Sequence, residues 1–109
     1  MKYSKRDMLE AENKYLDWVL DNLCKLTKIS KEELSINTRV ISAIALTRQL
    51  YFYLANDFKP FDIPLGKIGV PVGRDHATVN YGIKKIRGYI TINDIQVLGI
   101  IDKFKKLMP

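Results

Sequence analysis

Leu9, Leu16, Val19, Leu20, Leu23 and Leu26 recur along the first quarter of the chain at the three- and four-residue spacing of a helix face. Ser4 stands three residues before Asp7. At that spacing an N-cap hydroxyl and an N3 carboxylate satisfy each other's backbone N–H groups, so a long helix is expected from Lys5 to about Thr27. Ser30 and Glu33 repeat the device and open a short helical turn at Glu32–Leu34. From about Arg39 to Asn56 runs V-I-S-A-I-A-L-T-R-Q-L-Y-F-Y-L-A, without Gly or Pro and too long for one strand. It reads as the central buried helix, with Leu46 and Leu50 on one core face and Arg48 and Gln49 directed outward. Punctuation follows: Pro60, Pro64, Gly66, Gly69, Pro71 and Gly73. A short helix is expected over 64–69 with Pro64 at its first position, then a turn at Val70–Gly73. Asp75 would cap a helix from His76 to about Arg87, its inner face made by Val79, Ile83 and Ile86. Thr91 and Asp94 have a third capping-box spacing and would lead a final helix to about Leu107. A short strand at Tyr89–Ile92 competes, since Y-I-T-I is β-branched and aromatic. The expected class is all-α, a compact domain of about six helices.

Length adds that 109 residues suit a single domain, 1–109. A hydrophobic fraction of 47% with 28% charged residues is that of a soluble globular protein. No apolar run reaches the ~18 residues of a membrane span. The first residues, M-K-Y-S-K-R-D-M-L-E, do not read as a secretory signal. Cys24, the single cysteine, cannot form an internal disulfide and suits a reducing cytoplasm. The net charge of +6 is unevenly spread. Residues 1–34 are neutral overall, whereas residues 59–89 carry six Lys/Arg against two Asp/Glu. Basic charge gathered in one segment is the footprint expected of a polyanion binder.

The only histidine, His76, lies in that segment. A short helix, a tight turn and a second helix opening with polar residues have the shape of a helix-turn-helix, whose second helix enters the DNA major groove. His76 can donate to or accept from a base. Asp75 can accept from cytosine N4, cap the helix, or do both. The Ala77 methyl suits a thymine methyl, and Thr78 suits a base or a phosphate. Lys84, Lys85 and Arg87 could hold phosphates and set the register, with Arg39 and Lys67 as further basic candidates. The bland alternative keeps Asp75 as a cap only, His76 as an exposed residue and Lys84-Lys85 as a solvated face. One His, one Cys and scattered carboxylates offer no nucleophile, metal set or acid–base pair, so neither an enzyme nor a cofactor is expected.

The stretch G-R-D-H-A-T-V-N-Y-G-I-K-K-I resembles the signature of the C-terminal, origin-box-binding domain of the bacterial replication initiator DnaA. Leu65-Gly-Lys-Ile-Gly69 resembles that family's first helix of the helix-turn-helix. Arg48-Gln49-Leu50 with Tyr53-Leu54-Ala55 resembles its preceding helix, and Lys28-Ile29 through Leu34 the segment before its basic loop. The likeness spans about residues 16–107, with 1–15 as an N-terminal helical extension and 64–87 as the helix-turn-helix. It implies base reading by Asp75 and His76 with Ala77 and Thr78 beside them. It implies phosphate contacts from Arg48, Gln49 and Lys84 or Lys85, and a turn or phosphate role for Arg74. Departures are visible. Ala77 stands where the family has Thr or Ser, the turn is a residue shorter and contains Pro71, and the basic loop is reduced to S-I-N-T-R with Arg39 its only charge. No G-x-x-x-x-G-K-[ST] occurs, so ATP-driven origin melting is not expected of these residues. The resemblance implies a stand-alone reader of double-stranded DNA in the cytoplasm of a bacterial or phage-infected cell, associated with the nucleoid, at an origin-like or regulatory site. The alternative is an adaptor that keeps the fold and binds replication proteins through the long N-terminal helix. An apolar stripe left over on that helix would be a homodimer seam.

Overall fold

Helix starts in this chain are set by short-range chemistry. In the computed structural model, which describes residues 4–36 and 42–108, Ser4 Oγ accepts the Asp7 N–H at 3.1 Å and the Asp7 carboxylate accepts the Ser4 N–H at 3.4 Å. Helix α1 follows over Lys5–Thr27 and stops where Lys28 turns left-handed and donates its N–H to Cys24 O. The Ser30–Glu33 box opens α2, Lys31–Ser35. Helix α3 is Ser42–Asp57, α4 is Leu65–Gly69, α5 is His76–Thr91 and α6 is Ile95–Leu107, with one turn of 3-10 helix at Val70–Val72. The class is all-α, and no strand occurs among the described residues.

Several expectations need correction. Pro64 is the extended N-cap of α4 rather than its first residue. The strand considered at Tyr89–Ile92 does not form, because Ile90 continues the apolar face of Ile83 and Ile86 and carries α5 to Thr91. Thr91 therefore ends a helix, and the cap of α6 is Asp94, whose carboxylate accepts the Val97 N–H. Leu9 is 49% exposed: residues 5–11 are all exposed, so the first turns of α1 have no body to pack on.

Helix α3 lies at the centre. Leu50, Tyr51, Phe52, Leu54 and Ala55 are buried on it, whereas Leu46 is half-buried at the core margin. The α1 residues Leu16, Val19, Leu20 and Leu23 pack on it from one side. Helix α6 closes the core through Val97, Ile101 and Phe104, with the Trp18 ring edge-on to Phe104 at 5.4 Å. Two hydroxyls, one buried and one half-buried, fasten the frame: Tyr51 donates to Ile68 O and Tyr15 to Ala55 O, both at 2.7 Å. Burial pushes both phenol pKa values up, which keeps them donors across the accessible pH range. The Tyr51 bond ties α3 directly to α4. No helix of the described residues is long and apolar enough to cross a membrane.

Candidate nucleic-acid interface

The turn between α4 and α5 is closed by two glycines for different reasons. Gly73 has φ of +67°, a conformation that side chains rarely adopt. Gly69 is needed for space: a Cβ there would sit 2.2 Å from Arg74 O and 2.9 Å from Val79 Cγ2. With Gly69 O accepting the Arg74 N–H at 3.0 Å, the chain folds tightly back on α4. Ile68, Val72 and Val79 are buried beneath it. Asp75 then caps α5, its Oδ1 accepting the Thr78 N–H at 2.9 Å. That bond holds the Asp75 carboxyl below the usual carboxylate range.

Helix α5 lies on α3 with Val79, Gly82, Ile83 and Ile86 buried. A Cβ at Gly82 would meet Phe52 Cδ2 at 2.7 Å, so the two helices approach as closely as a hydrogen atom permits. The opposite face is open. His76, Ala77, Thr78, Asn80, Tyr81, Lys84, Lys85 and Arg87 are all exposed. The expected tip residues are thus brought together at the free end of α5, with three cations further along the same helix. Asn80 and Tyr81 share this face although they carry no motif. Their spacing of four from His76 and Ala77 is the signal that finds them. Lys85 Nζ lies 6.0 Å from the ring centres of both Tyr81 and Tyr89.

Cations outside α5 are placed differently. Arg48 is 8% exposed. Its Nε donates to Leu34 O at 2.7 Å and its Nη2 to Ile36 O at 2.9 Å. Arg74 Nη2 donates to the same Ile36 oxygen at 2.9 Å while its Nη1 holds Val72 O. One carbonyl at the end of α2 is thereby shared by two guanidinium groups, one from the central helix and one from the turn. Burial, and secondarily the charge of Arg74, pull the Arg48 pKa below its ordinary value. Lys67 Nζ is 2.8 Å from Oε1 of Glu12, whose side chain is buried. Gln49 is half-buried, packs beside Gly82 and lines a shallow cleft with Lys85, Tyr89 and Asp94. Arg39 lies outside the described residues. No cluster of three His, Cys, Asp or Glu that could hold a metal ion occurs among the described residues.

The model of the bacterial DnaA protein helix-turn-helix matches residues 16–86, well over half of the chain. The protein belongs to the DnaA helix-turn-helix family. A relative is the chromosomal replication initiator protein DnaA of Mycobacteroides abscessus, 48% identical over 46 residues. The aligned stretch is 42% of this chain but 9% of that relative, so the likeness concerns a small part of the larger protein. The DnaA match covers α2 to α4, about half of α1 and most of α5, and identifies the module as a DNA-binding helix-turn-helix. Helix α6 and the first turns of α1 fall outside it.

Two of the cations expected at phosphates, Arg48 from the DnaA resemblance and Lys67 from its charge, are engaged within the fold. The outward direction expected of Arg48 does not hold, because Leu34 O and Ile36 O lie within its reach and have claimed it. Lys67 is committed to Glu12. Arg74 takes the turn-supporting role, and its guanidinium is only half-buried.

Proposed function

We propose that this protein binds double-stranded DNA sequence-specifically, at a replication-origin-like or regulatory site, by inserting the N-terminal end of α5 in the major groove. The observation that carries this reading is the composition of that end. Four successive residues, Asp75 to Thr78, are exposed at the tip of a helix whose other face is locked to the core. His76 offers a base-edge hydrogen bond. Asp75 uses Oδ1 for the cap and has Oδ2 left to accept from cytosine N4. Ala77 meets a thymine methyl and Thr78 a base or phosphate. Lys84, Lys85 and Arg87 hold phosphates, with Gln49 at the margin of the same face. Arg48 and Arg74 act at one remove by fixing the turn from which α5 departs.

Selection of bound sequences from random duplex, followed by titration of the preferred site, tests the proposal. His76→Ala should weaken the preferred site by about 1–3 kcal/mol and random duplex hardly at all. Equal losses on both, or no binding at low salt, would sink it.

A second reading keeps the fold as an adaptor for replication proteins. It is favoured by an apolar groove lined by Ala11, Tyr15, Trp18, Phe58, Phe61 and Met108, with a volume of about 530 Å³. A homodimer through α1 would cover Met8 and Leu9, exposed on its first turns, and would set two tips on a palindromic site. Light scattering with and without DNA separates these arrangements.

A further inference from the structure

Asn80 is the one carboxamide on the exposed face of α5, and nothing in the fold accounts for it. It is the fifth residue of a 16-residue helix, too far in to act as a cap. It is exposed and contributes nothing to the core, while Asn is a weaker helix former than Ala, Leu or Lys. Its position is distinctive instead. Asn80 stands four residues after His76 and four before Lys84, so the three side chains lie along one line of the helix surface. Four residues advance about 6 Å along a helix, less than two base-pair steps of about 3.4 Å. Recognition helices reach base edges from positions spread over roughly two turns, so a residue one turn past His76 remains within the groove.

The chemistry of the neighbours narrows what this position reads. Lys84 presents donors only, on a long flexible stem, and suits a phosphate. Tyr81 is turned toward Lys85. Ala77 has no hydrogen-bonding atom on its side chain. Asn80 alone on this line offers a donor and an acceptor side by side, the pair that matches N7 and N6 of adenine.

We infer that Asn80 is a specificity-determining residue that reads an adenine within about two base pairs of the base read by His76. This rests on the DNA-reading function proposed above. Site selection with the wild type, Asn80→Ala, Asn80→Asp and His76→Ala tests it. Substitution at an exposed helical position should leave folding intact, and a thermal melt checks that. The wild type should select adenine at one position near the His76-dependent one. Asn80→Ala should lose preference at that position alone. It should weaken the preferred site on the order of tenfold, random duplex little, and leave the salt dependence unchanged. Asn80→Asp, which can only accept, should shift the preference from adenine to cytosine. If Asn80→Ala selects the same sequences as the wild type while His76→Ala does not, the inference falls and DNA reading stands. If the wild type selects no sequence, both fall.

Discussion

The guanidinium and ammonium groups of this domain form two populations. On α5, Lys84, Lys85 and Arg87 stand in solvent, and no carboxylate of the described residues lies within ion-pair distance of them. Beneath the turn, Arg48 and Arg74 converge on a single carbonyl oxygen, and Lys67 closes on a buried carboxylate. By charge alone the two groups are equivalent. By cost they are not. A tied cation resists removal because its partner would be left buried without a hydrogen bond, whereas a free one can exchange water for a phosphate at little structural expense. The number of positive residues near a helix-turn-helix therefore overstates its contact with a polyanion.

The sharpest way to break this division is Arg48→Ala. It should destabilise the fold by about 2–3 kcal/mol, since Leu34 O loses its side-chain donor and Ile36 O one of two. Chemical denaturation measures it. Arg48→Lys should rescue little, because an ammonium cannot span both oxygens as the planar fork does. If Arg48→Ala instead leaves stability intact and flattens the salt dependence of DNA binding, Arg48 belongs with the free group.

Lys67→Ala comes next, with a loss of about 1–2 kcal/mol, because it strands the Glu12 carboxylate. Restoring most of that loss by adding Glu12→Gln, in a double-mutant cycle, would identify the ion pair as the cause.

The free cations should behave oppositely. Lys84→Ala or Arg87→Ala should change stability by less than about 0.5 kcal/mol. Each should reduce the slope of log affinity against log salt by about 0.9 and weaken all duplexes alike. A slope that survives the triple substitution of Lys84, Lys85 and Arg87 would move the interface elsewhere.

The smallest effect concerns a cap. Asp75 has a depressed pKa because its carboxylate accepts the Thr78 N–H. Its contribution is complete above the unfolded carboxylate pKa of about 3.9 and is lost as pH falls through the lower folded value. Melts of the wild type should therefore drop more steeply below about pH 4 than those of Asp75→Asn, and parallel curves would remove the cap from the account.

Much of the fold was legible because its signals are local. Ser4, Ser30 and Asp75 each meet a partner three residues away, within the reach of sequence inspection; Asp94 does the same, but Thr91 competed with it for the cap. The tip of α5 was legible for the same reason, aided by the Gly-Arg-Asp-His run. What escaped depends on distance along the chain. Arg48 finds its acceptors 12 and 14 residues away, and Lys67 its partner 55 residues away. No periodicity forecasts such meetings, so Arg48 was expected to face outward and Lys67 to be available to a phosphate. The end of α5 escaped because Y-I-T-I satisfies the spacing of a strand and a helix alike.

The closeness of α5 to α3 at Gly82 has a consequence for how recognition could be lost. A methyl group there would need roughly 1 Å that Phe52, fully enclosed, has no room to give. The helix would lift or tilt, and the six residue steps from Gly82 back to His76 would act as a lever about 9 Å long. A base-edge hydrogen bond stretched from about 2.9 Å toward 3.9 Å is no bond. A change hidden in the interior, invisible to any inventory of exposed side chains, would thus be sufficient to abolish the proposed base reading while every residue at the tip of α5 stayed the same.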